Sequence, residues 1–196
     1  MAEALLRERS RSLGLELAVS SAGSMFDDRP AEGGAVAALA KLGIDLGQHR
    51  SRIVTPEIVS RADLVIGMEQ RHVRDISVMP GASLAATFTL PDLVARGASL
   101  GPRGPESSHD WLGRIGAGHS PADVLVSRPD LEVADPMGGS NRAFRRCAAE
   151  LDDLVTRLLA LAWPHSPASR PGSGAPAGST VVARPPRPFR SARTHG

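Results

Sequence analysis

The stretch Asp-Leu-Val-Ile-Gly-Met at residues 63–68 decides the predicted fold. It is a short, continuous apolar run, which is typical of a strand that is covered on both faces of a parallel sheet. Helical spacing follows over residues 69–78, and another short strand is predicted over residues 86–90. Strands and helices that alternate in this way predict an α/β domain.

The chain before this stretch continues the same alternation. Residues 1–13 are predicted to form a helix, and residues 15–21 alternate apolar and polar side chains as a half-buried strand does. Apolar spacing over residues 31–42 predicts a second helix. A Thr-Pro pair then opens a short helix over residues 56–61.

The chain after residue 90 divides into an insertion, a long helix and a tail. Residues 95–130 are rich in Gly, Pro and Ser and are predicted to be an insertion with one helix near residues 106–115. Residues 141–163 have the clearest helical periodicity of the chain, and their apolar stripe is expected to pack along the sheet. Residues 164–196 are predicted to be a disordered tail, which leaves one domain over residues 1–163.

Composition and charge exclude several classes of protein. A single cysteine in 196 residues excludes an internal disulfide framework and a multi-cysteine metal site. No apolar run reaches the ~20 residues of a membrane span, and no signal-peptide order is present, so a cytoplasmic protein without a membrane partner is predicted. The tail holds five arginines and no acid. Because the net charge of the whole chain is +2, the remaining residues carry a net charge of about −3. A globular part without basic excess predicts no nucleic-acid partner.

The only thiol and the histidines do not predict a site. Cys147 lies on the apolar stripe of the last helix, and Asp153 rather than an arginine stands six residues later. A reactive thiolate needs an electropositive, partly exposed setting, so a core position is predicted for Cys147. The six histidines show no metal-ligand spacing, and we expect neither a metal nor a cofactor.

Asp135 is the candidate catalytic residue. Pro136 pushes it out of helical geometry, and two glycines let the backbone bend before Ser140 caps the long helix. An acid on a stiff turn at the mouth of a helix is a plausible proton donor. An ordinary Asp-Pro turn is the alternative interpretation.

Several stretches in series resemble one family, the low-molecular-weight protein tyrosine phosphatases. These stretches are Met1–Leu6, Ser21–Gly23, Gly43–Asp45, His49–Arg52 with Thr55, Ala62–Val65, Met68-Glu69 with Arg71-His72, and Asp135–Ser140. The resemblance implies a flavodoxin-like, three-layer α/β domain with a parallel sheet. The insertion at about 95–130 falls in a part of the chain that varies within the family.

The resemblance also implies a reaction. In the family a Cys-x5-Arg loop cradles the phosphate, its thiolate attacks phosphorus, and an aspartate protonates the leaving group. Asp135 matches that aspartate. The implied substrate is a phosphorylated protein or an aryl phosphate, with phosphotyrosine or phosphoarginine as the phosphorylated group, and no cofactor takes part.

Met1 matches the residue that directly follows the Cys-x5-Arg-Ser-Pro segment in the family. We therefore expect the first strand and the phosphate loop, with its nucleophile and arginine, to be missing and the chain as printed to be inactive. A start codon placed too late is the simplest account, ahead of a true deletion. A domain without that central strand is expected to be poorly stable or to dimerise.

Three further expectations concern specificity. Arsenate reduction would need additional cysteines. Met137 stands where the family often has an aromatic residue beside the phosphotyrosine ring, which weakens the case for tyrosine, and Trp111 of the insertion is predicted to form one wall of the substrate cleft.

The alternative function is a non-catalytic pseudophosphatase, or a binding or regulatory protein that uses its Arg-rich tail to find a partner.

Overall fold

The computed structural model describes residues 1–164, and the predicted tail beyond them lies outside the described residues. The helices and strands are, in chain order, α1 (Ala2–Ser12), α2 (Gly33–Ala40), α3 (Pro56–Ser60), β1 (Val65–Gly67), α4 (Gln70–Ser77), β2 (Thr87–Thr89), α5 (Leu90–Leu100), α6 (Ser108–Gly116), α7 (Pro121–Leu125) and α8 (Asn141–Ala162). Short 3-10 turns occupy Leu84–Ala86 and Pro129–Leu131.

The sheet of the described residues consists of β1 and β2, which pair in parallel. The middle residues of the two strands, Ile66 and Phe88, face each other in the register, and Phe88 is completely buried. The predicted strands within residues 63–68 and 86–90 are therefore confirmed, as is their parallel arrangement. Because the strands are parallel, their carboxyl ends meet at one edge of the sheet, where α4 and α5 begin.

Helix α8 holds the domain together. It contacts α1, α2 and α5, and its apolar stripe from Phe144 to Ala162 is buried. Cys147 lies on this stripe with 7% exposure, so its predicted core position is confirmed. Among the helices of residues 1–164, none is both long and apolar enough to cross a membrane.

Side-chain caps explain where the shorter helices begin. The Thr55 hydroxyl accepts the Ile58 N–H at the start of α3, as the Thr-Pro pair predicted. Thr89 caps α5 through the Asp92 N–H at 3.3 Å, and Ser107 caps α6 in the same way. Each cap satisfies a backbone donor that the first turn of a helix leaves unpaired.

The predicted strand over residues 15–21 is wrong. The segment is extended, but no other described segment pairs with its backbone as a ladder, and the nearest pairing is an isolated bridge from Gly23 to Ile53. Leu15, Leu17 and Val19 are half-buried while the residues between them are exposed. The alternation therefore reports one-sided burial, which an extended segment shows without belonging to a sheet.

The insertion over residues 95–130 is more ordered than its composition predicted. The end of α5, all of α6 and all of α7 lie within it, although one helix was expected. Gly97 of α5 allows this packing, because a Cβ there would lie 3.3 Å from the Trp111 ring and 3.4 Å from Leu161. A glycine that lowers helix propensity in the sequence thus leaves room for the close approach of α5, α6 and α8.

Candidate active site

The strand-to-helix edge of the sheet carries Asp135. Val133, two residues earlier, is buried and donates its N–H to the Met68 carbonyl at 2.8 Å. Met68 directly follows β1, so this bond places the segment of Asp135 beside the carboxyl end of that strand. In open α/β sheets, ligand-binding crevices form at this end of the strands.

The turn at residues 135–139 fixes the direction of the acid. The Asp135 carboxylate accepts the Met137 N–H at 2.9 Å, and the Gly139 N–H donates to the Pro136 carbonyl at 2.9 Å. Gly138 has a φ of 74°, a conformation that glycine adopts without steric cost. Asp135 itself is exposed, so its carboxylate is held by the turn and still reaches solvent.

An arginine faces the same region. Arg71, in the first turn of α4, donates through Nε and Nη2 to the Glu69 carboxylate at 2.7 and 3.0 Å. These hydrogen bonds and the charge of Glu69 raise the pKa of Arg71, and the negative charge of Asp135 raises it further. The hydrogen bond from Arg71 likewise lowers the pKa of Glu69. The guanidinium and the Glu69 carboxylate are therefore paired with each other, near enough to Asp135 for its charge to act on Arg71.

Glu69 also organises the start of α4. Its side chain and that of His72 form a capping box, in which His72 Nδ1 accepts the Glu69 N–H at 3.3 Å. In the sequence, Glu69, Arg71 and His72 were part of the family resemblance and were not predicted to have a role in the site. The signal in the sequence was Glu69, which follows a buried strand and stands two residues before Arg71. Side chains that follow parallel strands converge at one edge of the sheet.

The other sequence-predicted site residues have different outcomes. Met137 is 54% exposed beside Asp135 and is free to contact a bound molecule. Trp111 is completely buried, and its indole N–H donates to the Gly101 carbonyl at 3.2 Å. The prediction that Trp111 lines a substrate cleft is therefore wrong, because the side chain packs inside the domain against α5.

Cys147 lacks the setting of a nucleophile. Burial raises the pKa of its thiol, and the negative charges of Glu150 and Asp135 raise it further. A thiol that resists ionisation inside a core is inert towards phosphorus. Within residues 1–164, no group of His, Cys, Asp or Glu side chains is arranged to hold a metal ion.

A concavity of about 210 Å³ lies at the carboxyl end of β2. Its charged groups are already paired with each other: Arg96 contacts Asp92 at 2.9 Å and Asp123 at 3.6 Å. His119, which also lines it, has its pKa lowered by burial and then by the charge of Arg96. The concavity is therefore an internally neutralised cluster, separate from the Asp135 turn.

Known proteins with similar sequences point to one family. A family model described as low molecular weight phosphotyrosine protein phosphatase matches residues 1–98. A probable low molecular weight protein-tyrosine-phosphatase, EpsP, of Ralstonia nicotianae is 33% identical over 93 residues, which make up 47% of this chain and 62% of that protein. The chain thus spans about three fifths of the length of the Ralstonia relatives that it matches.

Longer matches extend the likeness to most of the described chain. A protein-arginine-phosphatase of Bacillus subtilis is 30% identical over 159 residues, which make up 81% of this chain and 84% of that protein. The solved structure of a low molecular weight protein tyrosine phosphatase from T. tengcongensis has a TM-score of 0.60 at 26% identity and covers 81% of this chain and 86% of that chain. The flavodoxin-like α/β fold predicted from the sequence is confirmed, and the chain belongs to the low-molecular-weight protein tyrosine phosphatase family.

Proposed function

We propose that this protein removes phosphoryl groups from phosphorylated proteins, with Asp135 as the general acid. The observation that carries the proposal is an exposed carboxylate, held by the Met137 N–H at 2.9 Å at the carboxyl edge of the sheet, in a chain of a phosphatase family.

In this reaction Asp135 gives its proton to the leaving oxygen or nitrogen as the bond to phosphorus breaks. It then takes a proton from the water that attacks the phosphorylated nucleophile, which restores the acid and releases inorganic phosphate. General acid catalysis of this kind contributes about 10²–10⁴-fold to a rate. The attacking group must be a thiolate or an equivalent nucleophile, and buried Cys147 does not fill that role.

We therefore propose that residues 1–196 alone do not turn over a phosphoester. The purified chain, assayed with p-nitrophenyl phosphate, is expected to show no hydrolysis above the buffer rate. Turnover that disappears in Asp135→Asn but persists in Asp153→Asn, an exposed acid on α8, would mean that the chain does supply a nucleophile. That result would contradict this part of the proposal.

The DNA directly upstream of the Met1 codon tests the catalytic proposal itself. In-frame codons for a Cys-x5-Arg-Ser-Pro segment would provide a thiolate and a phosphate cradle. The protein expressed from that longer frame should hydrolyse p-nitrophenyl phosphate, and Asp135→Asn should lower kcat about 10²–10⁴-fold. If Asp135→Asn leaves kcat of the longer protein unchanged, Asp135 is not the general acid.

Phosphoarginine is the favoured substrate class, with phosphotyrosine second. Met137, rather than an aromatic residue, lies exposed next to Asp135, so no ring is present at that position to stack on a tyrosine. The Bacillus subtilis relative, 84% of whose length matches this chain, is a protein-arginine-phosphatase. Comparison of kcat/KM for phosphoarginine and phosphotyrosine peptides, using the longer frame, separates the two.

A non-catalytic binding or regulatory protein is the rival function. A stop codon directly upstream of Met1 would favour it, and the Arg-rich residues 164–196 would then be the candidate partner-binding segment.

The proposed phosphatase function includes a cytoplasmic location and no nucleic-acid partner, in keeping with the net charge of about −3 outside residues 164–196.

A further inference from the structure

The segment that leads into Asp135 is anchored by hydrogen bonds to Met68 and Gln70. Residues 128–133, which we call the strap, run from the end of the insertion to the Asp-Pro turn. At the last residue of the strap, the buried Val133 N–H donates to the Met68 carbonyl at 2.8 Å. One residue, Ala134, separates this anchor from Asp135, so movement of the strap is passed directly to the acid.

Gln70, the first residue of α4, makes two more bonds to the strap. Its side-chain carbonyl accepts the Arg128 N–H at 2.9 Å, and its backbone N–H donates to the Glu132 carboxylate at 2.9 Å. Both bonds join residues about sixty positions apart in sequence. Together with the Val133 bond, they fasten the strap at its start and at its end to the loop after β1.

Burial makes these bonds costly to lose. Gln70 is a polar residue with only 7% exposure, and Val133 has 2% exposure. Removal of the Glu132 acceptor would leave the Gln70 N–H, on this buried residue, without its partner and without full access to water. The strap therefore has little freedom while Gln70 is in place.

We propose that Gln70 is a positioning residue for Asp135, and that Glu132 acts with it. The pair sets the distance between the acid and the carboxyl end of β1, where the phosphoryl group of a substrate would lie. This role rests on the proposed function, because positioning has catalytic meaning only if Asp135 is the proton donor. Neither residue touches the substrate in this assignment.

Two amide signals in ¹⁵N NMR spectra of the 196-residue protein report on this role. Hydrogen exchange of the Val133 N–H reports how firmly the strap is held. The chemical shift of the Met137 N–H reports its hydrogen bond to Asp135, with Asp135→Ala as the reference for a broken bond. The Val155 N–H, in the buried part of α8, is the control for overall stability.

The variant Gln70→Met keeps the side-chain volume and removes the acceptor for Arg128. We expect exchange at Val133 to rise on the order of tenfold, with the Met137 shift moving towards its value in Asp135→Ala. Glu132→Met is expected to act in the same direction. Glu132→Gln, which keeps an acceptor oxygen, is the matched control and should resemble the unsubstituted protein.

Two results would overturn the positioning role. One is an unchanged Val133 exchange rate and Met137 shift in Gln70→Met. The other is a rise at Val155 as large as the rise at Val133, which would show that Gln70 only stabilises the whole domain. Neither readout depends on turnover, so an inactive longer protein would remove the proposed function and leave this result intact.

Discussion

Arg9 on α1 and Asp152 on α8 form a two-point ion pair, with Nε–Oδ1 and Nη2–Oδ2 distances of 2.7 and 2.8 Å. Their side chains retain 34% and 25% of their exposure, so the pair is only partly screened by water. The bond joins the first described helix to the helix that organises the core. Parallel N–H donors to both carboxylate oxygens give this contact a fixed geometry.

A double-mutant cycle with Arg9→Ala and Asp152→Ala should give a coupling free energy of about 1 kcal/mol, because two charge-assisted bonds are lost together. Urea unfolding followed by circular dichroism measures it. The matched control is Arg157 with Asp153, a single 3.4 Å contact with side chains 53% and 67% exposed. That pair should couple by at most ~0.5 kcal/mol, and equal coupling in the two cycles would contradict the prediction.

Glu3 should make stability depend on pH on the acid side. Burial raises the pKa of Glu3, but hydrogen bonds from Ser21 and Arg7 and the charges of Arg7 and His49 outweigh it, so the pKa is lowered overall. A carboxylate whose folded pKa lies below the unfolded value of about 4.3 stabilises the fold above that pH. This contribution is lost as the pH falls through the lowered folded pKa.

The variant Glu3→Gln should therefore be less stable than the parent by about 1 kcal/mol at neutral pH, and the difference should be smaller at about pH 3. Urea midpoints at the two pH values measure the difference. Glu8→Gln removes an exposed pair with Arg11 on the same helix and serves as the control. A deficit in Glu3→Gln that is as large in acid as at neutral pH would show that lost packing, not charge, is responsible.

The sequence predicted the helices and strands whose signals are local. The apolar run at residues 63–68 and the stripe of α8 both appear where expected, because a strand covered on both faces leaves a continuous apolar run and a helix packed on one side leaves a helical periodicity. The strand over residues 15–21 failed because alternation reports burial and says nothing about a pairing partner. Helix α5 was not predicted, and the close approach of its Gly97 to Trp111 is a tertiary contact that no local pattern reports.

The candidate site divides in the same way. The turn at Asp135 was predicted from its own neighbours, since Pro136 and two glycines favour it, whereas the role of Asp135 as the acid was predicted from the family resemblance. The burial of Trp111 could not be read from a Gly- and Pro-rich segment, where an aromatic residue looks equally suited to a cleft wall. The contacts of Gln70 join segments about sixty residues apart, and no local pattern carries such information.

Gly116, the last residue of α6, should not tolerate a side chain. A Cβ at this position would lie 2.0 Å from the Ala85 carbonyl oxygen, and a backbone atom cannot move aside as a flexible side chain can. Gly116→Ala should therefore destabilise the domain by about 1–3 kcal/mol through overpacking. Thermal unfolding by circular dichroism measures the change.

Gly113 of the same helix is the matched position. No atom lies within 4 Å of a Cβ built there, so Gly113→Ala gains helix propensity without a clash. We expect a stabilisation of about 0.5–1 kcal/mol. Changes of the same sign in the two variants would mean that the contact between α6 and the Leu84–Ala86 turn is not as close as the structure has it.

Cys147 should resist thiol reagents in the folded protein. The side chain is 7% exposed, and burial followed by the charge of Glu150 raises the pKa of the thiol, so little thiolate forms at neutral pH. Ellman's reagent should leave the native chain unmodified and react with one thiol per chain in urea. The variant Ser127→Cys, which adds a thiol at an exposed position, should show one fast-reacting group without denaturant. Rapid native modification of the unsubstituted chain that inorganic phosphate slows would instead place Cys147 in an anion site, and Cys147 would then have to be tested as the nucleophile.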